Sequence, residues 1–396
     1  MTTAGDARAV ADWLIDGARS AARPEQLLAQ LCDRLIDCGV PLWRVAVFVR
    51  TLHPEVMGRR LVWRQGAGVE VWELPFEALE TAEFRAFVAR VSESDAATRQ
   101  RLADGDCLQD LEVLNALRAE GATDYLAWPL VFSNGETHAV TWTTRQPGGF
   151  TDTQIAELQA VIAPLARVTE IYALRRTASN LLSTYVGHHS GERIWAGQIR
   201  RGHAEAIDAA IWLSDMRGFT MLADRLPSET LINLLNRYFD CQVPPILGHG
   251  GEVLKFMGDG LLAIFPIAGG GAGATETCNE ALVAAREARA SVAAMGEWSG
   301  LEGAGGPRFG LALHRGKVLY GNIGSGNRLD FTCIGPAVNL AARLEKLAAK
   351  LGRAIVASDE FARHCRPELT PIGDFTLPGF GAAQMVFGLG DEAGPR

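Results

Sequence analysis

One segment, GEVLKFMGDGLLAIF at residues 251–265, constrains the fold of this chain more than any other. Its two apolar runs flank a turn that carries Gly258, Asp259 and Gly260. Aspartate-glycine turns between apolar runs are typical of β-hairpins. The segment therefore predicts two antiparallel strands, and Asp259 is explained as a turn former before any chemical role is considered.

Lys255 interrupts this apolar pattern. Residues of equal parity share one face of a strand, so Lys255 is expected to point the same way as Val253 and Met257. A lysine among such neighbours either extends to solvent at a sheet edge or contacts a ligand. The segment alone supports both interpretations equally.

A second segment, IWLSDMRGFT at 211–220, places Asp215 at the end of an apolar strand, followed by Gly218 and the start of a helix. A carboxylate in this position can hold a metal ion while the amides that open the helix face phosphate oxygens. An aspartate after a strand is more often a turn or cap residue, so this segment by itself is weak evidence for a site.

A third segment, DFTCIGPAVNLAARLE at 330–345, predicts a helix from about Pro336 that places Asn339 and Arg343 four residues apart on one face. Such a pair is usually only solvated. It also offers a neutral hydrogen-bond donor and a fixed cation, which suit charge that develops on a phosphoryl group.

In this order and at this separation, the three segments resemble the catalytic domain of class III adenylate and guanylate cyclases, over about the second half of the chain. The resemblance implies an α+β fold, with a mixed, mostly antiparallel sheet and flanking helices. It implies that Asp215, Asp259 and the carbonyl of Met216 hold two Mg²⁺ or Mn²⁺ ions. Phe219 and Thr220 match positions whose backbone N–H groups face the phosphates of the substrate.

The same resemblance assigns Asn339 to orienting the ribose and Arg343 to stabilising charge on the α-phosphate. Lys255 and Thr332 match the two residues that read the purine. Lysine suits the N1 acceptor of adenine, and threonine is similar to the subgroup called class IIIb. Cys333 would strengthen the case for guanine if the register were shifted by one residue.

The activity implied is conversion of ATP to 3′,5′-cyclic AMP and pyrophosphate. A guanylate cyclase and a catalytically degenerate nucleotide-binding module are the alternatives. The resemblance also implies a homodimer, in which the metal-binding carboxylates of one protomer meet the asparagine and arginine of its partner. The chain departs from the family at Leu377–Gly381, where many members carry a phosphate-binding lysine; Arg200, Arg201 and Lys317 are the candidate replacements.

A length of 396 residues predicts two domains. We expect an α/β or α+β sensor-like domain over 1–175, a linking helix and bridge over 152–191 that overlaps its end, and the cyclase domain over 192–396. The first domain loosely resembles GAF-like modules, and its signal, a small molecule or a protein, is not identified by the sequence.

Apolar residues recur at helical spacing over the linking helix, from Ile155 to Tyr172. They predict either a seam between two copies of the helix or packing on the helix's own domain, with equal weight. Four tryptophans of the first domain predict core packing more readily than a ligand pocket. They are Trp63, Trp72, Trp128 and Trp142.

The formal net charge of −8 argues against nucleic acid as a partner. The seven cysteines are scattered and predict neither a disulfide framework nor a zinc site. No signal-peptide pattern and no apolar run long enough to span a bilayer are evident, so we expect a cytoplasmic protein.

Local patterns give further expectations. Helical stretches are predicted near 80–91 and 108–120, and Gly187–Gly202 is predicted to be a glycine- and charge-rich bridge. The glycine-rich tract 269–274 is predicted to be a flexible loop. Two separate strands are expected on either side of Arg315-Gly316.

Overall fold

The computed structural model of the chain describes residues 7–54, 56–80, 98–103, 112–296, 307–365 and 367–391. The chain forms two compact units, Met1–Leu181 and Leu182–Arg396, here called unit 1 and unit 2. Each is built of helices on one largely antiparallel sheet, which confirms the predicted α+β class.

Unit 1 contains a six-stranded sheet in the order β3-β2-β1-β6-β5-β4. Every pairing in it is antiparallel, which selects α+β from the two classes predicted for the first half of the chain. A 3₁₀ helix spans Phe76–Glu80. The strands and α-helices are β1 (Arg44–Arg50), β2 (Val56–Arg64), β3 (Gly68–Pro75), β4 (Thr98–Arg101), β5 (Asp124–Val131), β6 (Thr137–Thr144), α1 (Ala7–Ile15), α2 (Pro24–Asp37), α3 (Glu112–Ala119) and α4 (Asp152–Val186).

Helix α4 is the linking helix predicted from sequence. Its residues Leu158 and Leu165 are buried in the core of unit 1, and Ile155, Ile162 and Tyr172 pack against the same core. The apolar seam is therefore occupied by the helix's own domain over this stretch. Of the two interpretations of the seam, the structure supports packing within one chain.

Three of the four tryptophans, Trp63, Trp128 and Trp142, lie in this core. Trp72 is different, because it is 52% exposed and lies under the guanidinium of Arg60. The predicted helix near 80–91 lies outside the described residues. Helix α3 occupies the second part of the stretch predicted over 108–120.

Unit 2 contains an eight-stranded sheet in the order β13-β14-β12-β10-β7-β9-β8, with β11 paired to the distal part of β10. Its pairings are antiparallel except that β10 and β12 are parallel. The elements are α5 (His188–Trp195), β7 (Ala204–Arg217), α6 (Phe219–Ala223), α7 (Ser228–Asp240), α8 (Val243–Gly248), β8 (Glu252–Met257), β9 (Gly260–Pro266), α9 (Gly270–Ala294), β10 (Arg308–Ser325), β11 (Arg328–Ile334), α10 (Pro336–Leu351), β12 (Ile355–Ser358), α11 (Asp359–Ala362), β13 (Leu369–Phe375) and β14 (Gln384–Leu389).

Helices cover both faces of this sheet. Trp212 and Ala263 face the core beneath α7, α8 and α9, whereas Ile211 and Leu262 face the core beneath α10. This alternation follows from the two-residue period of a strand, and it places Asp215, with the parity of Ile211, on the α10 face.

Two local expectations are wrong. Strand β10 runs unbroken through Arg315 and Gly316, which pair in register with Ala210 and Ala209 of β7. A Cβ on Gly316 would lie 2.7 Å from the Cβ of Ala337 in α10. The glycine therefore permits close approach of a helix to the strand and does not mark a turn.

The glycine-rich tract is also not a loop, since α9 begins at Gly270. Ala274 and Cys278 in its first turns are fully buried, and this burial offsets the poor helix propensity of glycine. The bridge Gly187–Gly202 contains helix α5, whose Ser190 and Gly191 are buried. Within the described part of the chain, no helix combines the length and hydropathy that crossing a bilayer requires.

Candidate active site

Asp215 lies near the end of the central strand β7, opposite Gly310 of β10. Ser214, one residue before it, pairs with Leu261 at the start of β9. The hydroxyl of Tyr238 in α7 donates a hydrogen bond of 2.9 Å to the backbone carbonyl oxygen of Asp215. The position of this carboxylate is therefore determined by three neighbouring elements.

Asp259 lies in the turn of the β8–β9 hairpin, where Met257 pairs with Gly260. The hairpin approaches β7 closely, because a Cβ on Gly260 would lie 3.1 Å from the carbonyl oxygen of Ser214. This approach brings the carboxyl groups of Asp215 and Asp259 into hydrogen-bond contact. The structure thus brings the two predicted metal ligands together.

Burial raises the pKa of Asp215 to about 7, and the adjacent Asp259 adds to this through a shared hydrogen bond and charge repulsion. Glu345 raises the pKa further, while Arg217 lowers it. Arg217 forms an ion pair with Glu345 of α10, so the nearest cation is partly neutralised by its own partner. Two adjacent carboxyls with little compensating charge are a donor set that suits divalent cations.

No group of three or more His, Cys, Asp or Glu side chains placed to hold a metal occurs among the described residues. The metal site would therefore depend on these two carboxylates, backbone oxygens, substrate and water. Met216 is the third predicted ligand. Its side chain is buried in the core on the face of the sheet opposite to Asp215, which leaves only its backbone carbonyl as a possible metal ligand.

Helix α6 begins at Phe219, directly after Gly218 in the left-handed conformation with φ of 79°. Phe219 and Thr220 therefore occupy its first turn, where backbone N–H groups have no partner within the helix. N–H groups in this position are what the predicted use toward phosphates requires, and that use stays a prediction.

The predicted orientation of Lys255 is wrong in one respect. A β-bulge between Val253 and Lys255 shifts the register, so that Val253 pairs with Ala263 and Lys255 with Leu262. Since Ala263 and Leu262 face opposite sides of the sheet, Lys255 does not share a face with Val253. The extra residue turns Lys255 to the face that carries Asp215.

The Lys255 ammonium lies 3.8 Å from the carboxylate of Asp330 in β11 and is partly exposed. Thr332 lies two residues further along β11 and therefore on the same face as Asp330. Thr332 is 4% exposed, and its hydroxyl oxygen has no hydrogen-bond partner among the residues that the structure describes. A buried hydroxyl without a partner is unfavourable, which makes it a candidate for contact with a ligand.

Cys333, the alternative purine reader, has the opposite parity along β11 and packs in an apolar core cluster with Tyr320 and Phe331. Burial raises the pKa of its thiol to about 11. Its environment is that of a core residue.

Helix α10 buries Ala337, Leu344 and Ala348 toward the sheet. Asn339 and Arg343 fall on its other side, where Asn339 is exposed and Arg343 is half-buried. The Arg343 Nε donates to the carbonyl oxygen of Pro378 at 3.3 Å. Among the described residues, no hydrogen bond or ion pair joins Asn339 or Arg343 to either carboxylate of its own chain.

The segment that lacks the expected lysine thus contacts Arg343 through Pro378. The three candidate replacements, Arg200, Arg201 and Lys317, are all exposed. No contact of theirs distinguishes one from another.

A buried polar network next to Lys255 was missed in the sequence. Glu252 in β8 is 2% exposed. It accepts hydrogen bonds from the amide and hydroxyl of Ser190 in α5, at 2.9 and 2.5 Å, and from the hydroxyl of Tyr320 in β10, at 2.7 Å. The only signal in the sequence was an acidic residue at the start of an apolar strand.

The chain is similar to several curated proteins named adenylate cyclase. One from Anabaena cylindrica is 31% identical over 169 residues, which cover 42% of this chain and 32% of that protein. A terminal-differentiation-specific adenylate cyclase of Dictyostelium discoideum is 32% identical over 151 residues, which cover 37% of this chain and 7% of that protein. The chain thus spans a third or less of each relative's length.

Among solved structures, a bacterial light-regulated adenylyl cyclase aligns with a TM-score of 0.40 and 28% identity. The alignment covers 47% of this chain and 92% of that chain. No protein-family model matches the sequence.

Proposed function

We propose that this chain, which is homologous to adenylate cyclases over about two fifths of its length, is itself an adenylate cyclase that converts ATP to 3′,5′-cyclic AMP and pyrophosphate. The contact between the carboxyls of Asp215 and Asp259 is the observation that carries the proposal. Strand pairing holds these two acidic groups together, and the pKa of Asp215 is raised to about 7. Such an arrangement destabilises the ionised carboxylates, and a cation site would explain why it is present.

Asp215 and Asp259, with the carbonyl of Met216, would hold two Mg²⁺ or Mn²⁺ ions, which supply activation of the ribose 3′-hydroxyl and neutralisation of triphosphate charge. The backbone N–H groups of Phe219 and Thr220 would bind phosphate oxygens at the start of α6. Together these groups would align the 3′-oxygen with the α-phosphorus and the leaving pyrophosphate.

Asn339 would orient the ribose, and Arg343 would stabilise the charge that develops on the α-phosphate. Both lie on the side of α10 that faces away from the sheet of their own chain. This supports a homodimer in which they act on the substrate bound by the partner's carboxylates. A symmetric pair then has two complete sites, and a monomer has none.

Lys255 and Thr332 would read the base, with the lysine donating to N1 of adenine. The bulge that turns Lys255 toward Asp330 and the unpartnered hydroxyl of Thr332 support this assignment. Guanine would instead need an acceptor at the position of Lys255, which favours ATP over GTP.

The direct test is product formation from ATP and from GTP by the purified full-length chain, with Mg²⁺ or Mn²⁺. We expect cyclic AMP as the main product, and its loss in Asp259→Ala. Asp240→Ala, an exposed aspartate of the same unit, is the matched control and should retain the parent rate. Cyclic GMP as the main product would assign a guanylate cyclase, and nucleotide binding without turnover in a confirmed dimer would assign a degenerate module.

A further inference from the structure

The sheet of unit 1 is covered on both faces, but the two faces differ in chemistry. The face toward α1, α2 and α4 is apolar and carries Val45, Val47, Trp63 and Trp142. The opposite face should also be apolar if it served only to pack α3.

That second face carries an apolar cluster around Phe48 and, beside it, a polar row that crosses four strands. Arg44 of β1 is opposite Arg64 of β2 on one side and Thr143 of β6 on the other. Thr143 is in turn opposite Tyr125 of β5. Directly opposed residues have Cβ atoms about 4.5 to 5.5 Å apart, so these side chains are immediate neighbours.

Arg44 is the unusual member of this row. Arg44 is 7% exposed, and its Nε atom is buried with no hydrogen-bond partner in the described ranges of the chain. Burial, together with the nearby Arg64 and Arg60, lowers the pKa of Arg44 to about 10. The neighbouring Thr143 is fully buried, and its hydroxyl also lacks a hydrogen-bond partner within the described residues.

A buried carboxylate of the same unit, by contrast, is satisfied. Asp124 of unit 1 accepts from the guanidinium of Arg99 at 2.7 Å and from the amide of Phe150 at 2.9 Å. Arg44 forms no such ion pair with a described residue, and Glu120, whose charge acts on it, is held by Arg64. An unpaired buried charge is among the most costly features that a protein can contain. An orphaned buried cation of this kind calls for a ligand outside the described contacts.

The charges on this second face indicate the chemical class of the ligand. Arg64 is paired with Glu120, whereas Arg60 stacks on Trp72 and no carboxylate contacts it or Arg44 among the described residues. Two guanidiniums therefore lack a contacting carboxylate in the described part of the chain, and a hydroxyl donor lies beside one of them. A phosphate dianion supplies the two negative charges and the several acceptor oxygens that this set lacks.

We propose that unit 1 contains a phosphate-binding site on the second face of its sheet, with Arg44 as the central ligand and Thr143 as a hydroxyl donor. Arg60 contributes its charge to the same site. The phosphate is either free or part of a larger molecule. This site is separate from the carboxylate pair of unit 2 and does not depend on the proposed cyclase activity.

The test is thermal unfolding of the full-length protein in sodium phosphate against sodium chloride of equal ionic strength. At about 50 mM phosphate, and with millimolar affinity, we expect the midpoint for unit 1 to rise by roughly 3 to 6 °C. Arg44→Met should lose this rise while remaining at least as stable as the parent in chloride, because a buried unpaired charge has been removed. In isothermal titration, Arg44→Met should bind phosphate at least tenfold more weakly than the parent protein does.

Arg50→Met is the matched control, since it removes an exposed guanidinium from the same strand, and it should respond to phosphate like the parent. Thr143→Val keeps both the side-chain shape and Arg44, and should reduce the response. The proposal is overturned if phosphate raises the unfolding midpoint of Arg44→Met as much as it raises that of the parent. Repeating the titration with phenyl phosphate separates the sources: tighter binding than inorganic phosphate identifies a phosphate ester, and weaker binding identifies the free ion.

Discussion

At the scale of single residues, His138 and His314 are buried histidines, one in each unit, and burial lowers the pKa of each to about 4. In the unfolded chain their pKa returns to about 6.5. Between these values the unfolded state binds more protons, so stability falls as the pH decreases from 6.5 toward 4. We expect each histidine to cost roughly 2 kcal/mol at pH 4.5.

Thermal unfolding of His314→Gln and His138→Gln between pH 4.5 and 7.5 checks this, and each change should flatten the pH dependence of its own unit. His203→Gln, in which an exposed histidine is replaced, should leave both profiles unchanged. Parent-like pH slopes in both buried variants would refute the assignment.

Asp215 gives a prediction of opposite sign. Its pKa of about 7 in the folded protein exceeds the unfolded value of about 4. The folded state therefore binds more protons across this interval, and metal-free stability falls as the pH rises from 4 to 7. Asp259→Asn removes the repulsion, and we expect it to raise the metal-free midpoint of unit 2 at pH 7.5 by roughly 2 to 4 °C and to abolish stabilisation by Mn²⁺. Asp240→Asn serves as the control and should behave like the parent. An unchanged midpoint and retained Mn²⁺ stabilisation in Asp259→Asn would contradict the pairing of Asp215 with Asp259.

At the scale of elements, helix α5 is held to strands β8 and β10 by the network of Ser190, Glu252 and Tyr320. Glu252→Gln keeps the shape of the side chain but weakens three charge-assisted hydrogen bonds. We expect a loss of roughly 2 kcal/mol in the stability of unit 2, with faster hydrogen exchange at the amides of Ser190 and Gly191.

Tyr320→Phe removes one donor and should cost less. The double change Ser190→Ala with Tyr320→Phe should be non-additive, because both donors act on one carboxylate. Additive losses, or unchanged exchange in Glu252→Gln, would show that the network does not hold α5 in place.

At the scale of the whole molecule, the proposed homodimer predicts complementation between two inactive variants. Asp259→Asn lacks a carboxylate and Arg343→Ala lacks the arginine, so each alone should show almost no cyclase activity. After the two are unfolded and refolded together in equal amounts, half of the dimers are mixed and each has one intact site. Activity should therefore recover to about a quarter of the parent rate. No recovery despite demonstrated mixed dimers would place both residues in the same site of one chain.

Helix α4 carries the chain from unit 1 into unit 2, and we propose that unit 1 adjusts the two halves of the dimeric site through it. Deletion of residues 1–185 retains the Ser190 network and tests this. We expect a changed basal cyclase rate or changed dimerisation; a rate and a dimer affinity both equal to those of the full chain would remove the regulatory proposal.

The sequence by itself determined the positions of Asp215 and Asp259, because apolar runs of strand length and the turn between them are local patterns. It likewise predicted helix α10 and the face shared by Asn339 and Arg343, since helix periodicity depends only on neighbours in the chain.

Only the tertiary structure decided the rest, for a common physical reason: these features depend on pairing and burial between residues far apart in sequence. The bulge that turns Lys255 depends on the register between β8 and β9. Helix formation at Gly270 depends on burial of Ala274 beneath the sheet. Arg44 looks like an ordinary strand-end arginine in the sequence; its burial becomes visible only once β2 and β6 pair on either side of β1.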